Sequence, residues 1–120
     1  MSRGRVLLLE DDQALRGVLQ EALASEDFEV VISESFEELR AAAAAAHADV
    51  VVADFWGGAH HALDDLARQQ LLELNQLLPV LLVTGRSWAA STTAEALGVR
   101  AIVRKPFDLD ELIDTLGQIV

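Results

Sequence analysis

The amino-acid sequence predicts an α/β fold in which a parallel sheet lies between two layers of helices. Five short apolar segments alternate with five segments in which apolar residues recur at helical spacing. The apolar segments lack polar alternation, which is typical of strands that are covered on both faces. The chain has 120 residues, of which 52% are hydrophobic, and this suits one domain with one core. We therefore expect a single three-layer (βα)5 domain over residues 1–120.

The first half of the chain is expected to hold three strands and two helices. Strand one is predicted at residues 6–9, strand two at Phe28–Ile32, and strand three at residues 49–53, with Asp54 at its end. Asp12 is well placed to cap the first helix. The apolar positions of the first helix are Leu15, Val18, Leu19, Ala22 and Leu23. Those of the second helix are Phe36, Leu39, Ala42, Ala43 and Ala46.

The second half is expected to complete the alternation with three helices and two strands. Gly57-Gly58 breaks the chain before the third helix, and strand four follows at residues 80–83. A weak helix over about residues 88–97 is expected to end at Gly98. Strand five is predicted at Ala101–Arg104. The apolar positions of the third helix are Leu63, Leu66, Ala67, Leu71 and Leu74, and those of the last helix are Leu109, Leu112, Ile113, Leu116 and Ile119.

The order of the strands follows from the connections. Each strand is joined to the next by a helix, and such crossovers between parallel strands are right-handed. This restriction favours the strand order 2-1-3-4-5, which is the order of flavodoxin-like folds.

Polar residues stand at the carboxyl ends of four predicted strands. Glu10 and Asp11 follow strand one, Asp54 ends strand three, Thr84 ends strand four, and Lys105 follows strand five. These ends lie along one edge of a parallel sheet, where such folds place their sites. Carboxylates suit a hard cation such as Mg²⁺. A carboxylate beside a metal can also accept a phosphoryl group, whose charge a lysine neutralises.

The overall charge restricts the partners. The formal net charge is −11, which argues against direct binding to nucleic acid or to an anionic membrane. No apolar run approaches the roughly 18 residues of a membrane span, and the N-terminus does not resemble a secretory signal. There is no cysteine, so cysteine nucleophiles and cysteine zinc sites are excluded. We expect a cytoplasmic protein.

With these motifs assembled, the chain resembles the CheY-like receiver domains of two-component response regulators. The similarity rests on four segments spread over the whole chain, namely VLLLEDD, VVADF, PVLLVTG and VRKPFDLDEL. The resemblance implies a phosphorylation-dependent signalling switch that receives its phosphoryl group from a histidine kinase or a phosphotransfer protein. It implies a phosphoacceptor that assists its own phosphorylation and dephosphorylation, and not an enzyme acting on a separate substrate.

The resemblance also assigns roles residue by residue. Asp54 would be the phosphoacceptor, and Asp11 and Asp54 would bind Mg²⁺ directly. Glu10 would act on the metal through water, and the backbone carbonyl of Trp56 would be a further ligand. Lys105 would pair with Asp54 and then with the phosphoryl group, and Thr84 would move inward to hydrogen-bond that group. The family usually has a cis bond at Lys105-Pro106.

Two departures from the family pattern support an alternative function. Gly57-Gly58 replaces the usual Met-Pro pair after the phosphoacceptor, and Ile102 replaces the usual aromatic residue three positions before the lysine. The alternative is a degenerate receiver that binds a protein partner without phosphorylation. The downstream partner is open, and the resemblance allows a homodimer through helix four, strand five and helix five.

Two other classes of protein on similar folds are less well supported. A phosphatase of the haloacid dehalogenase type needs a second aspartate two residues after the nucleophile, and Trp56 stands there. A flavodoxin-like cofactor binder needs a phosphate-binding loop after strand one, and none is present. Two adjacent histidines, His60 and His61, are expected to be plain loop residues.

Overall fold

A computed structural model describes residues 2–45, 48–54, 65–84, 93–105 and 107–120. Its five strands form one parallel sheet in the order β2-β1-β3-β4-β5. The strands are β1 (Gly4–Glu10), β2 (Phe28–Ile32), β3 (Val50–Asp54), β4 (Val80–Thr84) and β5 (Ala101–Arg104). The predicted fold class and strand order are confirmed.

Helices cover both faces of the sheet. They are α1 (Gln13–Ser25), α2 (Phe36–Ala44), α3 (Asp65–Leu77), α4 (Ala94–Leu97) and α5 (Leu109–Ile119). Successive residues of β1 point to opposite faces. Leu7 packs in the cluster that contains Leu39 of α2, whereas Leu8 packs in the cluster that contains Leu19 of α1 and Leu112 of α5. Strand β1 is therefore apolar on both sides, as its sequence predicted.

The turn from β1 into α1 is fixed by a helix cap. Oδ1 of Asp12 accepts hydrogen bonds from the backbone amides of Ala14 at 3.0 Å and Leu15 at 3.1 Å. These bonds satisfy amides that the first turn of a helix leaves without partners. The predicted cap at Asp12 is confirmed, and it sets the chain direction immediately after Glu10 and Asp11.

The fourth helix is shorter than the sequence predicts. Thr93 has an extended backbone, and its hydroxyl accepts a hydrogen bond from the amide of Ala96 at 3.2 Å. A threonine hydroxyl competes with helical bonding in this way, so the described helix begins at Ala94 and a continuous helix over residues 88–97 is wrong. Gly98 ends α4 with φ of 73°, as predicted. Residues 85–92 lie outside the described residues.

Two residues of the predicted apolar stripes face solvent. Leu66 is 64% exposed and Val18 is 49% exposed. The buried stripe of α3 consists of Ala67, Leu71 and Leu74, and Leu66 lies about 100° around the helix from Ala67. Membership of Leu66 and Val18 in the core is therefore wrong. Leu63, Ala46 and the Gly57-Gly58 break lie outside the described residues.

None of the helices within the described ranges has the length and apolar character that crossing a membrane requires.

Candidate functional site

Two carboxylates meet at the carboxyl ends of neighbouring strands. Glu10 and Asp54 are register partners in the pairing of β1 with β3. Glu10 is only 2% exposed, and the side chain of Asp54 is 13% exposed. Two acidic groups that are close together and shielded from water repel one another and lose hydration. The position therefore requires a compensating cation or a proton.

Lys105 supplies one compensating charge. It follows β5, and its backbone amide donates a hydrogen bond to the carbonyl of Thr84 at 2.8 Å. Its ammonium group contacts Oδ2 of Asp54, and Nζ lies 3.8 Å from Oε1 of Glu10. Since β4 separates β5 from β3, the lysine side chain reaches across the end of β4. Of the four charged residues that the sequence places at strand ends, three, namely Glu10, Asp54 and Lys105, therefore converge.

The proton affinities of these groups respond to their surroundings. Burial raises the pKa of Glu10 from 4.5 to about 8, and the negative charge of the neighbouring Asp54 adds to this shift. Burial of Lys105 disfavours its charged form, but the hydrogen bond to Asp54 and the neighbouring acidic charges outweigh burial. The pKa of Lys105 is therefore raised above its ordinary value of 10.5.

One oxygen of Glu10 is left without a partner. Oε1 accepts a hydrogen bond from the amide of Asp12 at 3.3 Å, whereas Oε2 is buried and has no hydrogen-bond partner among the described residues. A buried polar atom without a partner requires an explanation, such as an ion or a water molecule. An oxygen-rich pair of this kind fits a hard cation.

The described residues contain no group of three or more carboxylate, histidine or cysteine side chains arranged around one metal position. Mg²⁺ keeps several waters and needs only one or two carboxylates. Glu10 and Asp54 can supply these, and Asp11 is exposed at the next position after β1. The donor set therefore fits Mg²⁺, with water completing the coordination.

The remaining predicted site residues divide into two groups. Thr84 is buried at the end of β4, where its register partner is Arg104. Trp56, Pro106 and the two histidines lie outside the described residues. The amide of Asp12, which donates a hydrogen bond to Oε1 of Glu10, was not among the predicted site groups. A backbone amide carries no residue-type signal, so only the geometry of the turn reveals it.

The comparison with known families decides the assignment. The model of the response regulator receiver domain matches residues 6–117. The chain belongs to the receiver domain family.

Known proteins agree with this assignment. The receiver domain is 33% identical over 115 residues to the DNA-binding transcriptional regulator NtrC of Salmonella typhimurium, covering 94% of this chain and 24% of that protein. The chain thus spans about a quarter of the length of the NtrC proteins that it matches.

Solved structures share its fold. The chemotaxis protein CheY4 of Vibrio cholerae has a TM-score of 0.74 at 21% identity, covering 100% of this chain and 99% of that chain. NtrX of Brucella abortus has a TM-score of 0.75 at 21% identity, covering 99% of this chain and 27% of that chain.

Ile102, which departs from the pattern that the resemblance implies, lies on β5. It is the register partner of Leu82 on β4 and is partly buried. It packs against the core cluster that α2, α3 and α4 cover. The structure therefore places an aliphatic side chain at the β5 position where the resemblance implies an aromatic one.

Proposed function

We propose that this receiver domain accepts a phosphoryl group on Asp54 in the presence of Mg²⁺ and passes the signal on through a change in its surface. The observation that carries the proposal is the contact of the Lys105 ammonium with Asp54, beside the buried carboxylate of Glu10. This arrangement holds a carboxylate ready as a nucleophile and places a cation where charge will develop.

The transfer follows from the chemistry of these groups. An oxygen of Asp54 attacks the phosphorus of a phosphohistidine donor, and a new P–O bond forms. The P–N bond breaks, and the imidazole nitrogen keeps its electron pair. The product is an aspartyl phosphate. Because the donor is consumed in equal amount, the chain acts as a phosphoacceptor that assists its own phosphorylation and dephosphorylation.

Two side chains would respond to the new group. Lys105 exchanges its contact with the Asp54 carboxylate for one with a phosphoryl oxygen, and the Thr84 hydroxyl donates a hydrogen bond to another. Bound Mg²⁺ would neutralise negative charge on the phosphoryl oxygens. Glu10, Asp11 and Asp54 would hold the ion, together with the backbone carbonyl of Trp56.

The phosphodonor class follows from membership in the family. We propose a histidine kinase or a phosphotransfer protein as the donor. The NtrC relatives are named as DNA-binding transcriptional regulators, so we propose an output of that kind elsewhere in the signalling system. Direct binding of nucleic acid by this domain is not part of the proposal, since its net charge is −11. A cytoplasmic location and a homodimer through the α4–β5–α5 face stay predictions.

The test is phosphorylation by a small donor followed by intact-mass measurement. Incubation with acetyl phosphate and Mg²⁺ should add the mass of one phosphoryl group. Asp54→Ala should abolish the addition, and Asp114→Asn, which removes an exposed acid on α5, should leave it unchanged. If the wild type gains no mass, or if Asp54→Ala gains as much, the degenerate receiver replaces the phosphorylated switch.

A further inference from the structure

We propose that the groove between α2 and α3 is a docking surface for a basic amphipathic helix of a partner protein. The groove has a volume of about 440 Å³. Phe36, Arg40 and Ala44 line it from α2, and Glu73 and Leu77 line it from α3. None of these residues belongs to the acidic edge of the sheet, formed by Glu10, Asp11 and Asp54. This function is therefore separate from phosphorylation.

The apolar content of α3 exceeds what the core uses. Its buried stripe of Ala67, Leu71 and Leu74 already packs against the sheet. Leu66 and Leu77 nevertheless remain 64% and 41% exposed. Residues 66, 70, 73 and 77 recur at helical spacing and share one side of α3. Leu77 lines the groove itself, and Leu66 is a second exposed leucine on the same side of α3, so a partner in the groove would cover apolar surface that the core leaves exposed.

The form of the occupant follows from the walls of the groove. Both walls are α-helices, whose backbone groups bond within their own helix. They offer no row of donors and acceptors to an extended segment, as a sheet edge would. A helix suits such walls because it satisfies its own backbone groups and can dock through side chains alone.

The charge of the occupant follows from the charges along the groove. Nε of Arg40 lies 2.5 Å from Oε1 of Glu73, so the cation of the groove is already paired between α2 and α3. Glu37 also lines the groove, and it has no ion pair within the described part of the chain. A second copy would bring a further −11 charges, whereas a lysine-bearing helix would be attracted.

The experiment uses a synthetic helical peptide with leucines on one face and lysines on the other. Titration into the isotope-labelled protein should shift the NMR signals of α2 and α3 amides in a saturable way. The control peptide carries glutamates in place of the lysines and should not bind. Binding of both peptides, or shifts centred on another surface, would overturn the proposal.

Matched variants test the groove itself. Leu77→Gln should weaken binding of the lysine peptide about fivefold or more. Val18→Gln removes a similarly exposed side chain on α1 and should not alter the affinity. Glu37→Lys should weaken binding about threefold at low salt, and the difference should shrink as salt is added. Equal affinities for the wild type and Leu77→Gln would exclude the groove.

Sedimentation of the protein alone tests whether a second copy of the chain occupies the groove. We expect a monomer at the concentrations used for the titration. A dimer that Leu77→Gln dissociates and Val18→Gln does not would assign the groove to a second copy and overturn the partner proposal. Absence of peptide binding up to about millimolar concentration, near −4 kcal/mol of binding free energy, would also overturn it.

Discussion

Asp54 and Lys105 contact each other through their charged atoms although 51 positions separate them in the chain. The two residues belong to strands that are not neighbours, because β4 lies between β3 and β5. Their contact therefore depends on the pairing of three strands, β3, β4 and β5. The charge balance of the acidic edge is in this way a product of the whole sheet.

Removing the lysine charge should destabilise the protein. Lys105→Met leaves Glu10 and Asp54 as neighbouring acids without their cation, and we expect the free energy of unfolding to fall by about 1–3 kcal/mol. Urea unfolding at neutral pH measures the change. Arg40→Met breaks a more exposed ion pair with Glu73 and should cost less than about 1 kcal/mol. Equal losses in both variants would contradict a special role for Lys105.

The stability of the protein should decrease as pH rises between about 4.5 and 8. The pKa of Glu10 is raised to about 8 by burial, so the folded protein keeps a proton that the unfolded chain releases above about pH 4.5. The contribution of this group is complete below that pH and is lost by about pH 8, with a slope of at most about 1.4 kcal/mol per pH unit.

Urea unfolding at several pH values measures this slope. Glu10→Gln cannot titrate and should have a flatter profile over the same range. Lys105 does not contribute to the change in stability between about pH 4.5 and 8. Its raised pKa lies above 10.5, so its contribution is lost only at higher pH. An identical slope in wild type and Glu10→Gln would show that another group titrates.

Millimolar Mg²⁺ should raise the melting temperature by a few degrees. Binding to the folded state alone stabilises it by about 1.4 kcal/mol when the ion is at ten times its dissociation constant, which corresponds to several degrees in a domain of this size. Asp11→Ala should abolish the gain, and Asp114→Asn should retain it. An unchanged melting temperature in all three proteins would mean that the acidic edge does not bind the cation.

Two leucines of α3 should differ sharply in their effect on stability. Leu71 is fully buried, so Leu71→Ala should reduce the free energy of unfolding by about 2–5 kcal/mol. Leu66 faces solvent, and Leu66→Ala should change it by less than about 0.5 kcal/mol. Denaturant unfolding of both variants checks the expectation, and a large loss in Leu66→Ala would place that residue in the core.

The sequence was sufficient for the sheet because its signals are local and redundant. Continuous apolar runs such as that of β1 are long enough to specify strands, and the acids and the lysine that follow them mark the carboxyl edge. The meeting of Glu10, Asp54 and Lys105 could therefore be predicted once the strand order was known. The functional roles of these residues stay predictions.

Other features depend on local hydrogen bonds and packing, which the spacing of apolar residues in the sequence does not show. The start of α4 depends on Thr93, whose backbone is extended and whose hydroxyl accepts a hydrogen bond from the amide of Ala96. Leu66 adjoins the buried Ala67, and spacing alone did not reveal which of the two neighbours faces the sheet. The raised pKa of Glu10 depends on its degree of burial, which only the packed structure determines.

The position of β1 has a consequence for handling the chain. Although β1 is the first strand in the sequence, it lies between β2 and β3 in space. It therefore joins the edge strand β2 to the rest of the sheet. A deletion that starts the chain at Asp11 would separate β2 from β3 and expose apolar residues of α1 and α2 that β1 covers. Engineering at the amino terminus should therefore add residues before Gly4 and leave the strand itself intact.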